Sequence, residues 1–304
     1  MAQVDCLIIG AGPAGLTAAI YAARFWLSVV VVDGGASRAA LIPCTRNHSG
    51  FPDGISGVDL LGRMRTQALK FGAAIIPATV EALEHGEGQG FKATGDFLPI
   101  EARAVILATG VTNRRPPMEA AVHDEALKAG LLRYCAVCDA FEVTDRKVAV
   151  IGTGAHGVRE AAFLRAYTQR VTLIAPEGPH ELSAAEQGRL AKLGVVPHAG
   201  PARDFRLQGD QITLEHSEGR EAFDTVYPAL GSDIHSDLAR SLGASLTDEG
   251  CIRVDGQQRT SIRGLYAAGD VVIGLDQISH AMGEAGVAAT TLRNDLAQTN
   301  DPLR

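Results

Sequence analysis

A chain of 304 residues, 46% of them hydrophobic, has the length for about two domains and the apolar material to pack a core in each. Its 35 acidic residues against 28 basic ones leave a formal charge of −7, which argues against nucleic acid as a main partner, because binding phosphates calls for a basic surface. The five cysteines are an odd number with a single close pair, unlike the disulfide framework of a small secreted protein.

Residues 4–9 (Val-Asp-Cys-Leu-Ile-Ile) are a short apolar run that ends at Gly10-Ala11-Gly12-Pro13-Ala14-Gly15. Leu16 to Phe25 follow with helical, alanine-rich character, and Leu27 to Val32 are a β-branched run closed by Asp33. Together these predict a βαβ unit carrying the GxGxxG fingerprint of dinucleotide binding. Its glycines permit a tight turn and close approach of a pyrophosphate, the helix N-terminus favours the anion, and Asp33 is placed to accept hydrogen bonds from a ribose. Gly10, Gly12, Pro13, Gly15 and Arg24 interrupt the apolar stretch 6–32, which also lacks a basic leader and a small-residue cleavage site. Neither a membrane span nor a signal peptide is expected, and the cytoplasm is the expected compartment. Cys6 reads as a small core residue of the first strand, and Cys44 as a loop bystander. Ala104 to Gly110 predicts a buried strand ending in a tight turn, and Arg114-Arg115-Pro116-Pro117 an interdomain connection.

Next comes Tyr134-Cys135-Ala136-Val137-Cys138-Asp139. Two cysteines separated by two residues can close a small disulfide, and a thiolate is the species that attacks another one, so the pair needs a proton acceptor and an electron source. Asp139 directly follows as a candidate acid, or alternatively as a helix-capping or turn residue. No second Cys/His pair stands at ligand spacing, so no metal is expected. A second βαβ pattern then appears: strand Lys147–Ile151, loop Gly152-Thr153-Gly154-Ala155-His156-Gly157, helix Val158–Ala166 and strand Val171–Ile174. Two nucleotide folds imply two nucleotides, or one functional site and one relic. Phe223 to Leu230 predicts a strand ending at Gly231, Cys251 opens a short strand pattern, and Gln277 to Leu296 predicts a closing helix with small residues on the face nearest the cofactor. The expected fold class is therefore α/β with two Rossmann-like domains, the second inserted into the first: residues 1–114 and 247–304 form one, 115–246 the other.

With these motifs in order, the chain resembles the low-molecular-weight thioredoxin reductases, within the flavoproteins that carry two dinucleotide-binding domains. The resemblance runs along nearly the whole length. It rests on Gly10 to Gly15 with Asp33, on Asn47 in Arg46-Asn47-His48-Ser49-Gly50-Phe51-Pro52, on Ala108-Thr109-Gly110, on Cys135 to Asp139, on Gly152 to Gly157, on Ala268-Gly269-Asp270 and on Gln277. It implies FAD in the first domain, bound through Gly10, Gly12, Pro13, Ala14, Gly15, Asp33, Asn47, Thr109, Gly110, Gly269 and Asp270, with Gln277 and Ile278 along the isoalloxazine. Gly152, Gly154 and Gly157 would serve a nicotinamide nucleotide. Cys138 would stand against the flavin, Cys135 would exchange with the substrate, and Asp139 would relay a proton. The resemblance also implies a homodimer, and an inserted domain that rotates to present either the nicotinamide or the dithiol.

Two departures stand out. Where NADPH-using members carry a basic cluster for the 2′-phosphate, strand Val171–Ile174 runs into Ala175-Pro176-Glu177-Gly178-Pro179-His180, and no arginine pair is present. Arginine grips phosphate bidentately, whereas proline cannot and Glu177 repels it; Arg170 and Arg189 are the basic residues that could approach from elsewhere. Asp276 also precedes Gln277 where an arginine is usual. The electron donor is thus open between NADH, with Glu177 on the ribose, NADPH, and a ferredoxin, and a reversed flux would make the chain an oxidase of small dithiols, as the gliotoxin-oxidase branch is. The partner is a thioredoxin-like protein or a small dithiol or disulfide. His280 and Glu284, four apart on the closing helix, are either a proton-transfer pair or a satisfied helical pair.

Overall fold

The computed structural model describes residues 3–86 and 90–298, so the outermost ends of the first and last expected segments lie outside the described residues. Strand β1 (Val4–Ile9) leads through helix α1 (Pro13–Arg24) to β2 (Val29–Asp33), and the chain continues through α2 (Gly57–Lys70) to β3 (Ala74–Pro77). Pro13 sits in the first turn of α1, so the helix begins inside the glycine loop rather than at Leu16; the fixed φ of proline suits that position. Strands β4 (Val80–His85), β5 (Phe91–Gly95) and β6 (Phe97–Leu107) form an antiparallel meander. The second half of β6 turns parallel to β1, and so does the late strand β16 (Leu265–Ala267) beside β6, which gives the parallel order β3-β2-β1-β6-β16. Strand order reverses between β1 and β6, the place where open α/β sheets bind ligands.

The inserted unit follows β7 (Val111–Asn113). It holds α3 (Ala120–Lys128), the one-turn helix α4 (Ala136–Asp139), β8 (Lys147–Ile151), α5 (Gly154–Leu164), β9 (Arg170–Ile174), α6 (Ala184–Leu193) and β10 (Val196–His198). An antiparallel sheet of β11 (Arg203–Gln208), β12 (Gln211–His216) and β13 (Gly219–Phe223) precedes β14 (Thr225–Pro228), which completes the parallel order β10-β9-β8-β14. The single run expected over 223–230 is thus two strands in different sheets. Asp224 makes the break, its carboxylate accepting from the Lys147 N–H at 2.7 Å and from Gln211 at 3.0 Å. Cys251 opens no strand; its neighbour Ile252 makes isolated bridges.

Both domain crossings meet in one ribbon, where β15 (Ser232–Ile234) pairs antiparallel with β7. After it, helix α7 (Asp237–Ser241) returns to the first domain: Ala239 and Ala244 belong to the core that contains Leu7, Ile9 and Leu107, with Ile234, Leu238, Leu242 and Leu246 packed on it. The stretch after the ribbon thus packs on the first sheet, with Ala239 and Ala244 buried and Ile234, Leu238, Leu242 and Leu246 partly so. Helix α8 (Ile278–Ala297) closes the fold on the other face. Its small residues Ala285, Ala288 and Ala289 are buried in one cluster with Ala18 and Ala22 of α1, so they serve helix packing.

A Cβ on Gly15 would lie 1.8 Å from the Gly10 carbonyl oxygen. Gly15→Ala should therefore force the β1–α1 turn apart and cost about 1–3 kcal/mol or more; a thermal unfolding midpoint equal to that of the parent protein would refute this account.

Candidate active site

The carboxyl ends of β1, β2 and β6 open into a cavity of about 860 Å³ that runs to the cysteine pair. Gly10, Gly12, Pro13, Ala14, Asp33, Asn47, Thr109, Gly110, Cys135, Cys138, Asp139, Gly269, Asp270, Gln277 and Ile278 all line it. Gly15 lies behind the lining and acts through the turn. Gly152, Gly154 and Gly157 are not brought to this cavity; they sit at the β8/β14 reversal of the inserted domain, where a Cβ on Gly152 would stand 3.1 Å from Ala229.

At the far end of the cavity, Cys135 and Cys138 form a disulfide. Cys135 caps α4, its sulfur accepting the Cys138 N–H at 3.2 Å. The approach to the pair is anchored by Tyr134, whose hydroxyl lies 2.9 Å from Nε2 of the buried His123 on α3. The Gln277 side-chain amide points its NH₂ at both sulfurs, 3.4 Å from Cys135 and 3.2 Å from Cys138, while its carbonyl accepts from the Asn47 amide at 2.9 Å. Residues far apart in sequence, 47, 135, 138 and 277, thus meet as one group.

Behind the disulfide, both carboxylate oxygens of Asp139 are engaged, Oδ2 by Arg133 and Oδ1 by the Tyr227 hydroxyl, each at 2.8 Å. Burial pushes its carboxyl above the usual aspartate range, while the Arg133 guanidinium and the Tyr227 hydroxyl pull it back. Glu160 on α5 reaches the Ala136 N–H at 3.3 Å and is itself raised, first by burial. Sequence reading missed Arg133, Glu160 and Tyr227. Arg133 and the acid are close enough in sequence to have been suspected, but Tyr227 arrives from a strand with no motif.

The cavity fits FAD. The N-terminus of α1 and the glycine turn face it, Asp33 takes the Ala11 N–H at 3.1 Å and remains at the lining, and the Asp276 that replaces an expected arginine is balanced by Arg38. The Arg38 Nη2 meets Asp270 at 2.6 Å and Asp276 at 3.1 Å, so a positive charge is restored beside the two carboxylates from a different segment. Thr109 and Gly110 are held by the ribbon's end: the Thr109 hydroxyl donates to the His235 carbonyl at 2.6 Å, and the His235 N–H donates to the Gly110 carbonyl at 3.1 Å.

His280 and Glu284 are 3.0 Å apart, and the other oxygen of the buried Glu284 accepts the Gly269 N–H at 2.8 Å. The pair therefore braces the loop that carries Asp270. Glu284 does not line the cavity, which places it with the satisfied helical pairs. In the inserted domain, the loop after β9 folds onto the glycine turn, where the Thr153 hydroxyl accepts the Glu181 N–H at 2.9 Å. Arg170 begins β9 at the opposite end from this loop, whereas Arg189 shares an open cleft of about 310 Å³ with Arg159 and Glu186. Among the described residues no three metal-ligating side chains converge, and no helix is long and apolar enough to cross a membrane.

Burial holds the Glu284 carboxyl above its ordinary value. A group raised in the folded state leaves stability intact at low pH and subtracts from it as pH rises through the folded value. Glu284→Gln keeps an oxygen for the Gly269 N–H and removes the charge, so its stability relative to the parent should increase as pH rises above the ordinary glutamate range in urea unfolding. A difference that stays flat with pH would show that the ionised form carries no penalty.

The profile of the pyridine nucleotide-disulphide oxidoreductase family matches residues 4–285. The chain is 34% identical over 279 residues to thioredoxin reductase of Mycolicibacterium smegmatis, covering 88% of each chain, and 33% identical over 300 residues to that of Streptomyces coelicolor, covering 94% of this chain and 90% of the relative. The crystal structure of thioredoxin reductase from Streptococcus pyogenes superposes with a TM-score of 0.89 at 30% identity, over 98% of this chain and 99% of the other. Joined to the disulfide at the end of a cofactor-sized cavity, these likenesses show that the chain belongs to the pyridine nucleotide-disulphide oxidoreductase family, as an FAD-dependent thiol–disulfide oxidoreductase.

Proposed function

We propose that the chain passes electron pairs between FAD, the Cys135–Cys138 disulfide and the disulfide of a thioredoxin-like protein, and that its inserted domain does not select NADPH. The observation that carries this reading is the disulfide hydrogen-bonded to Gln277 at the end of the cavity. FAD would lie along Gly10 to Ala14, Asp33, Asn47, Thr109, Gly110, Gly269, Asp270, Gln277 and Ile278, and it supplies a two-electron carrier next to the sulfurs.

Opening the disulfide takes two electrons and leaves two sulfurs that need protons. Asp139 is the group to deliver one, general acid–base help of this kind being worth about 10²–10⁴-fold. One thiolate then attacks the substrate disulfide and the second resolves the mixed disulfide, which restores the Cys135–Cys138 bond and leaves a dithiol on the partner. Val137 and Phe141, exposed on either side of the second cysteine, offer apolar contact to a protein substrate. The names of the relatives favour thioredoxin in that role. Three free cysteines, Cys6, Cys44 and Cys251, suit a reducing cytoplasm, and the exposed Tyr21 and Val287 support a homodimer across the α1/α8 face.

For the donor, the chain after β9 reads Ala175-Pro176-Glu177 where the resemblance implies the 2′-phosphate contacts, Arg170 is at the opposite end of its strand, and Arg159 and Arg189 are the basic residues in the cleft beside the first turns of α5. Gly152, Gly154 and Gly157 remain suited to a nucleotide without that phosphate, which supports NADH; ferredoxin and a small dithiol are the other sources of electrons.

Three outcomes test the reading. Cys135→Ser should leave a Cys138 thiolate that gives a long-wavelength charge-transfer band in the FAD-loaded protein; the band appearing in Cys138→Ser instead reverses the two roles. Asp139→Asn should slow turnover by about 10²–10⁴-fold with the disulfide still able to form. In stopped-flow measurements at equal concentrations NADPH should not outperform NADH, since one lost charge-assisted hydrogen bond is worth about 1.5–3 kcal/mol, or tenfold and more. Rapid reaction with micromolar NADPH alone would overturn the donor assignment, and fast reaction with a dithiol or ferredoxin only would replace NADH by that donor.

A further inference from the structure

The acid behind the disulfide is held more completely than a proton carrier needs for mere placement. Arg133 donates to Oδ2 from Nη1, and its own Nε is tied to the Gly130 carbonyl at 3.0 Å, so the guanidinium cannot swing away without losing a second bond. Tyr227, fully buried on β14, donates to Oδ1. These two partners differ in chemistry. A guanidinium has donors and no acceptor, whereas a phenol hydroxyl can donate or accept.

We propose that Arg133 and Tyr227 are positioning residues that hold the Asp139 carboxylate at both oxygens, Arg133 as a fixed donor and Tyr227 as a reversible one, so that the proton enters and leaves at Oδ1. When Asp139 is ionised, both oxygens accept. When it takes a proton, Oδ2 must go on accepting from Arg133, because a hydrogen there would face a donor. The proton is therefore carried on Oδ1, and the Tyr227 hydroxyl turns to accept it. The proton that leaves a thiol or reaches a thiolate is balanced by this single O–H bond, made or broken, with no change in the Arg133 contact.

Other charged groups face the same carboxylate. Glu142, in the turn after α4, and Glu160, from α5, lie on its negative side, and Arg46 stands 3.9 Å from Glu142. Burial and Glu142 favour the protonated acid; Arg133 and Tyr227 favour the carboxylate. The opposition keeps the carboxyl from being fixed in either form. Removing Arg133 would push the carboxyl further up and weaken it as a base, and removing the burial would bring it down and weaken it as an acid.

This inference rests on the reading of Asp139 as the proton carrier, and the two can be separated. Infrared titration of the purified flavoprotein detects the protonated carboxyl, the band missing in Asp139→Asn identifying the residue. Arg133→Met should move its titration midpoint upward by about one to three pH units, Tyr227→Phe should move it in the same direction, and Arg133→Lys should restore most of the parent value. Midpoints unchanged in Tyr227→Phe and Arg133→Met would overturn the clamp, whatever the turnover. If Arg133→Met does not fold, Tyr227→Phe and Arg133→Lys decide alone: an upward shift in the first with a near-parent value in the second supports the clamp, and any other combination refutes it. Turnover undiminished in Asp139→Asn would instead refute the carrier reading and leave the titration result standing as a statement about the clamp.

Discussion

At the carboxyl ends of β1 and β6 the backbone comes so close that a Cβ on Gly10 would lie 2.4 Å from the Ala108 carbonyl oxygen. That approach sets where the sheet reverses its strand order, and the reversal sets where a ligand can enter. Helix α1 starts immediately after it, aimed at the opening, and Asp33 is drawn in by the Ala11 N–H. The Gly269 turn completes the wall, with so little room that a Cβ there would stand 2.9 Å from the Ala14 side chain. Side chains can be placed on this frame with few alternatives, and the contact between Gln277 and the disulfide is the clearest product of it.

The cavity gathers negative charge before any ligand arrives. Asp33, Asp139, Asp270 and Asp276 all line it, and the cofactor brings a diphosphate of its own. Two arginines, Arg38 and Arg133, enter from separate segments and engage three of these carboxylates. Their positions explain how a chain with net negative charge, and with Asp276 where an arginine is usual, still presents donors along the site. Arginine suits the task because it keeps its charge on burial and offers several hydrogens in a fixed fork.

What could be read from the sequence was what lies within a short stretch: the glycine turn with Asp33, the cysteine pair with Asp139, the second glycine turn, and the order of the two nucleotide units. Each is a local pattern whose physical reason is local too. The arrangement around Asp139 was hidden because one of its members, Tyr227, belongs to a strand buried at every position, whose apolar run says nothing of a partner. The stretch after the ribbon was ambiguous for a similar reason. Ile234, Leu238, Leu242 and Leu246 form an apolar stripe that would suit either domain, and only the observed packing against Leu7 and Leu107 assigns it. Helix α5 and helix α1 both start earlier than the apolar periodicity suggested, since their first turns are the glycine loops themselves.

The ribbon of β7 and β15 carries both strands of chain that join the two domains, side by side and hydrogen-bonded to each other. Two separate tethers on opposite edges would pull against one another when either domain turned, and would limit its swing. Paired tethers share one axis and lengthen together. A rotation of the inserted domain, as the family resemblance implies, would therefore pass through this one ribbon. Arg114 and Asp233, 2.8 Å apart across the ribbon, fasten its two leaves. Both side chains are more than half exposed, so salt would screen that fastening, and any turning of the inserted domain about the ribbon would depend on ionic strength.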